Sequence, residues 1–312
     1  MQIFVSGSLA YDRIMNFPGR FADHILPEKL HVLNVCFTVE GLQEKFGGTA
    51  GNIAYNLSLL GESPLILACA GRDFAAYRRH LEKLGLSLEG IRVVEEEFTA
   101  GAYITTDQDD NQITGFNPGA MKFPSHYRFP GLDPAQALAI ISPGNLEDMI
   151  GYSRAYKEMQ VPYICDPGQQ IPVIPREDLA EMITGADILI SNDYELEMIM
   201  GATGWDLAEL CRRAGAVITT LGEQGSLVRQ QGQEVSIPPV TPERVQDPTG
   251  AGDAFRAGLI KGLVLGRDLV QAARLGSTSA SFALEHYGTQ EHAYSQDQFW
   301  ARHQAAFPGE AG

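Results

Sequence analysis

The sequence predicts an α/β fold: a three-layer α/β/α core around a mostly parallel sheet, with a small β-sheet protruding from it as a lid. Three observations carry this reading. Short β-rich runs alternate with segments of helical periodicity along most of the chain. Two stretches, 13–46 and 98–118, interrupt that alternation. A glycine-rich stretch, DPTGAGDAF from Asp247 to Phe255, opens a helix late in the chain. Strand–helix alternation implies crossover connections, and therefore parallel strands buried under helices on both faces.

Each element follows from its local pattern. QIFVSG, Gln2 to Gly7, is a short continuous apolar run and reads as a buried strand. From Thr49 to Leu60 the residues Ile53, Leu57 and Leu60 recur at helical spacing, and Gly61 follows as a stop. Pro64 to Ala70 is a strand, and Phe74 to Leu84 a helix closed by Gly85. Ala137 to Ser142 is a strand, Leu146 to Gln160 a helix, and Tyr163 to Asp166 a strand. Asp187 to Ser191 is a strand followed by a helix to Met200, and Ala216 to Thr220 is a further strand. Beyond Asp253 a helix carries a stripe of small residues, Ala254, Gly258 and Gly262. In the interrupting stretches, HVLNVCFTV (31–39) reads as a strand. Phe98 to Phe116 reads as a hairpin turning at Asp109-Asp110-Asn111. Together they form the lid, a natural cover for a site. No repeat or low-complexity segment divides the chain, so residues 1–312 are expected to form one domain with the lid inserted, ending in a frayed tail, 307–312.

Composition limits the function. Apolar residues make up 44% of 312, enough for a large core. No run of about 18 apolar residues is present, so no transmembrane helix is expected. The N-terminus lacks a basic segment before an apolar one, which predicts a cytoplasmic protein without a signal peptide. The formal charge of −16 disfavours nucleic acid and anionic membranes as partners, while leaving room for a small anionic ligand. Cys36, Cys69, Cys165 and Cys211 have no CxxC spacing and read as buried, reduced thiols.

Ligands of open α/β sheets sit beyond the carboxyl ends of the strands, so the loops there should carry the chemistry. Gly250, Ala251 and Gly252 stand at a helix N-terminus, where free N–H groups and the helix dipole favour an anion. Asp253 in the first turn can hold an attacking hydroxyl and take its proton. The dipole is expected to lower its pKa. A bare GxGD is also an ordinary turn before a helix, Asn192 with Glu195 an ordinary capping box, and Asp12 an ordinary turn residue. No GxxxxGK[ST] stretch is present.

DPTGAGDAF resembles the signature of the ribokinase-like (PfkB-type) carbohydrate and nucleoside kinases. FGGTAGNIA, Phe46 to Ala54, resembles that family's first signature, and NDYE, Asn192 to Glu195, its NxxE motif. The motifs occur in family order and the resemblance spans the whole chain. It implies a ribokinase-like fold, Asp253 as catalytic base, and Gly250 to Gly252 as the anion hole. It implies ATP as cofactor, with Mg²⁺ organised by Asn192 and Glu195, largely through water. Thr220, Gly222 and Gly225 in TTLGEQGS would line the nucleotide phosphates and ribose, and 286–290 would lie near the nucleotide base. A monovalent cation, K⁺, would take oxygens from Asp247 and Thr249. On the acceptor side, Ser8, Asp12, Gly48 and Asn52 would hold a polyol.

Tyr103, Phe116 and Met121 around the hairpin, with Phe37 on the other lid strand, suit a flat apolar base, with Phe116 stacking on it. This segment is most similar to bacterial adenosine-kinase-type members, which implies phosphorylation of the 5′-hydroxyl of adenosine or a related nucleoside. A ribose- or fructose-type sugar kinase and a non-catalytic nucleoside sensor are the alternatives. The lid's open edges and apolar face imply a homodimer.

Overall fold

The computed structural model describes residues 1–25 and 34–309. Its main sheet has nine strands: β1 (Gln2–Ser6), β4 (Leu65–Gly71), β5 (Ile91–Val94), β8 (Ala137–Ile141), β9 (Tyr163–Cys165), β10 (Ile188–Asn192), β11 (Ala216–Thr220), β12 (Ser226–Gln230) and β13 (Gln233–Ile237). Their order is β13-β12-β11-β10-β9-β8-β1-β4-β5. The strands from β11 to β5 pair in parallel, and β12 and β13 add an antiparallel hairpin at one edge.

The strands are buried on both faces, which is why they read as continuous apolar runs. Ile3 and Val5 of β1 enter one core and Phe4 the other. The first core lies under α1 (Thr49–Leu59), α2 (Ala75–Lys83), α7 (Ala251–Val264), α8 (Leu269–Ala283) and α9 (Gln296–Ala306). The second lies under α3 (Leu146–Met159), α4 (Arg176–Ile183), α5 (Asp193–Thr203) and α6 (Leu207–Arg213). The small-residue stripe of α7 seats it on α8. A Cβ on Gly258 would stand 2.4 Å from the Leu275 carbonyl oxygen, and one on Gly262 2.5 Å from Ala272 Cα. Among the described residues no helix is long and apolar enough to cross a membrane.

The lid is a four-stranded sheet, β3-β2-β6-β7, formed by β2 (Ala10–Asn16), β3 (Glu40–Gly47), β6 (Ala100–Thr106) and β7 (Gln112–Asn117). The β6–β7 hairpin lies where it was expected; Asp110 turns with φ of 59°, and the Asp107 carboxylate accepts from the amides of Asp109 and Asn111. The other two strands correct the sequence reading. Residues 31–33 of the expected strand lie outside the described residues, and 34–39 are not strand. Phe37 instead packs against Phe17 and Phe21. The strand itself is β3, EGLQEKFG, whose residues are mostly exposed and carry no apolar alternation. β2, which runs into the 13–46 stretch, likewise had no strand assigned to it from the sequence. A second correction concerns the thiols: Cys69 and Cys165 are buried, Cys211 is half-buried and Cys36 is exposed.

Candidate active site

The carboxyl ends of β1, β8, β9, β10 and β11 lie side by side. Between the β1 end and the lid is a cleft of about 830 Å³. Ser8, Asp12, Gly48, Asn52, Phe116, Gly250 and Asp253 all line it, drawn from four separate parts of the chain. Local geometry places each one. The chain enters α1 through Gly48 at φ 88°, a conformation open to glycine. A Cβ there would sit 2.6 Å from the Ser8 carbonyl oxygen. Ser8 meets the exposed start of α1, its hydroxyl accepting from Thr49 N at 3.0 Å and its carbonyl from Ala50 N at 3.1 Å.

Asp12 projects from β2, its pKa raised by burial and then by repulsion from Asp247. Phe116 on β7 pairs with Ala102, and Tyr103 with Gly115. Strand side chains alternate between faces, so Phe116 and Tyr103 point opposite ways. Phe116 borders the cleft, while Tyr103 lies on the outer face, its hydroxyl accepting from Arg13 Nη1 at 3.0 Å. Tyr103 is therefore not brought to the site.

At the start of α7, Gly250 is left-handed, with φ of 82°. The first intrahelical bond is made by Ala254 N to the Gly250 carbonyl at 2.9 Å. The preceding amides are thus not used by the helix ladder, although Ala251 N reaches back to the Pro248 carbonyl at 3.3 Å. Asp253 is half-buried, and its Oδ2 accepts from Asn52 Nδ2 at 2.8 Å. Burial pushes its pKa up to about 7, against the lowering pull of Arg256 and of the Asn52 bond. The expectation of a lowered pKa is thereby overturned: desolvation outweighs the dipole at this position.

Behind the turn, Arg256 grips Asp166 with two bonds of 2.5 and 2.6 Å and donates to the Gly252 carbonyl at 3.0 Å. Both side chains are buried. The charge of Arg256 faces three carboxylates, Asp166, Asp253 and Glu195, which act on it together.

Met121 and Thr249 also line the cleft, whereas Asn192, Glu195, Thr220, Gly222, Gly225 and Asp247 do not. Asn192 and Thr220 end β10 and β11 as direct register partners. Asn192 and Glu195 form a capping box at α5, with bonds of 2.7 and 2.9 Å. The pKa of Glu195 is raised, first by burial and also by Asp166. Gly222 opens a 3₁₀ turn that Gly225 closes with φ of 84°. Asp247 spans two loops, accepting from Thr249 N at 2.9 Å and Gly288 N at 3.0 Å. In the segment 286–290, Thr289 lines the cleft and Gln290 turns inward to Asn52. No group of three or more metal-ligating side chains is gathered among the described residues. The carboxylate excess around Glu195 and Asp166 nonetheless suits a cation arriving with a polyphosphate.

Sequence reasoning passed over Arg256 and Tyr77, together with Lys122 and Asn145 of the cleft wall, and gave Asp166, Gln169, Gln170 and Gln290 no individual role within their loops. A signal existed for two of them: an arginine amid the apolar residues of α7, and an aspartate closing the apolar run of β9.

Comparison with known proteins meets this geometry. The model of the pfkB family carbohydrate kinases matches residues 9–296. Nucleoside kinase from Burkholderia thailandensis, solved in complex with inosine, is 39% identical, with 98% of each chain covered and a TM-score of 0.85. The nucleoside kinase of Methanocaldococcus jannaschii is 33% identical over 277 residues, covering 87% of this chain and 89% of that protein. Its crystal structure matches with a TM-score of 0.87 over 98% of this chain and 99% of the other. A late helix N-terminus bearing an aspartate, facing a lid-covered cleft, and a family match over nearly the whole length lead to one assignment: the chain belongs to the pfkB family of carbohydrate kinases, with the ribokinase-like fold.

Proposed function

We propose that the protein transfers the γ-phosphoryl group of ATP to the 5′-hydroxyl of a nucleoside, adenosine or a close purine relative. The observation that carries this reading is the shared cleft of Asp253, the Gly250 turn, Asp12, Asn52 and Phe116. A ribose hydroxyl pair suits the Asp12 carboxylate and the Asn52 amide, and a flat base suits Phe116. Asp253, half ionised near neutral pH, accepts the proton of the attacking hydroxyl and aims its oxygen. The amides of the Gly250–Gly252 turn and the α7 dipole neutralise charge on the migrating phosphoryl group, which passes through a loose transition state. Asn192, Thr220, Gly222 and Gly225 form the nucleotide side. Mg²⁺, held through Glu195 and Asn192, supplies charge neutralisation on the phosphates when bound. Asp247 and Thr249 offer oxygens to a monovalent cation.

The relatives support a nucleoside over a simple sugar, since the Burkholderia structure holds inosine. A cytoplasmic homodimer joined through the lid is part of the same reading. An ADP-release assay over adenosine, inosine, guanosine, cytidine and ribose tests it. Turnover with purine nucleosides is expected, and turnover with ribose alone would overturn it.

A further inference from the structure

Asn52 faces Asp253, and the end of its amide that does so is fixed several residues away. The Gly47 backbone carbonyl can only accept, so Tyr77 Oη, 2.8 Å distant, donates to it. That uses the hydroxyl proton, and the Tyr77 oxygen accepts from Gln290 Nε2 at 2.8 Å. The same nitrogen lies 3.0 Å from Asn52 Oδ1 and donates to it. Asn52 Nδ2 is thereby turned to Asp253, at 2.8 Å. Both hydrogens of the Gln290 amide are then engaged, and its Oε1, which can only accept, accepts a hydrogen bond from His80 Nε2 at 3.0 Å. The His80 ring is itself stacked on Phe46 at 4.3 Å. Asn52, Tyr77 and Gln290 are all buried, so no solvent can reverse the direction of this chain.

Gly51 adds an independent observation. It sits in the first turn of α1, where glycine is disfavoured against alanine. A Cβ there would stand 1.9 Å from Tyr77 Oη and 3.2 Å from Gln290 Nε2. The missing side chain makes room for the hydroxyl that sets the direction.

We propose that Gln290 is a positioning residue for phosphoryl transfer: held by Tyr77 and the Gly47 carbonyl, it locks Asn52 so that an amide donor, never an amide oxygen, meets the Asp253 carboxylate. This rests on Asp253 acting as the base. A reversed Asn52 would set a carbonyl oxygen against the carboxylate, hold its proton more tightly and misdirect the acceptor alcohol. The other charged groups acting on Asp253 are Arg256 on its own helix, Asp166 after β9 and Glu195 on α5, and none is altered by a change at 290.

The test is the pH profile of kcat with saturating nucleoside for wild type, Gln290→Met, Tyr77→Phe and Asp253→Asn, with thermal melts as a check on folding. The wild type is expected to lose activity below about pH 7. In Gln290→Met the midpoint of that limb should rise by about one pH unit, cutting kcat roughly fivefold at pH 7, with recovery by pH 9. KM should move less than kcat. Tyr77→Phe removes a single oxygen, leaves the core filled and should shift the limb the same way by less; it carries the test should the 290 variant not fold. A limb at the wild-type position in the folded variants overturns the positioning role and leaves the base assignment standing. An acid limb missing from the wild type, or full turnover by Asp253→Asn, overturns the base assignment and the positioning role with it.

Discussion

In the proposed reaction Asp253 and Phe116 serve different terms, and their removal should separate kcat from KM. As the proposed base, Asp253 would supply a proton acceptor, so Asp253→Asn should lower kcat by about 10²–10⁴ with little change in nucleoside KM. Steady-state kinetics checks this, and retained turnover would defeat it. Phe116 contributes a surface; its side chain is 54% exposed on the cleft wall, area that a base would cover. Stacking on an aromatic ring is worth about 1–3 kcal/mol per base, so Phe116→Ala should raise nucleoside KM by roughly 10- to 100-fold and leave kcat nearly intact. An equal effect on ribose, which has no base, would count against stacking. Both residues were legible in the sequence, one from the glycines before it and one from the hairpin around it. The pKa of Asp253 was not. Its local signal, the helix dipole, gave the wrong direction, because desolvation comes from segments far away in the chain.

The turn into α1 and the anchor beneath α7 hold the site at the scale of elements. Gly48 joins β3 to α1 in a conformation that also leaves no space for a Cβ. Gly48→Ala should cost about 1–3 kcal/mol in denaturant unfolding, and it should impair activity by displacing Ser8 and Asn52. Arg256 ties α7 to the end of β9 through Asp166. Arg256→Met leaves the Asp166 carboxylate buried and uncompensated, a loss of about 3–5 kcal/mol. The double variant Arg256→Met with Asp166→Leu should recover part of that, which a double-mutant cycle measures. The central strands and helices α1, α2, α3, α5 and α7 were readable because their periodicity is local, whereas α4, α6, α8 and α9 were not anticipated. The ion pair was not, since its partners are 90 residues apart and meet only in the fold. β2 and β3 escaped notice for another reason: β3 is mostly exposed and β2 mixes polar with apolar side chains in a half-buried setting, so no apolar alternation marks either.

At the scale of the molecule, the lid's outer face carries Leu42, Tyr103 and Ile113, all exposed. Registers of Met15 with Leu42, Arg13 with Tyr103 and Thr105 with Ile113 put them on one face. For the proposed dimer, Ile113→Asp is expected to shift the protein toward a monomer in sedimentation, and an unchanged mass would defeat a dimer through this face. The site also leaves a mark on global stability. An aspartate releases its proton near pH ~4 in the unfolded chain, whereas Asp253 in the fold holds it to about pH 7. Between those values the folded state carries the extra proton, so this residue's contribution to stability is complete below pH ~4 and is lost as pH rises through 7. The cost has a ceiling of ~4 kcal/mol. Partial access to the cleft reduces it to ~1–2 kcal/mol, a few degrees in Tm for a chain of this size. Asp253→Asn removes the titration while keeping the shape. Its Tm should therefore match the wild type near pH 4.5 and exceed it by a widening margin up to pH 8. Parallel melting curves across that range would mean that the carboxylate is not held in a desolvated setting, and the neutral-pH base would lose its physical ground.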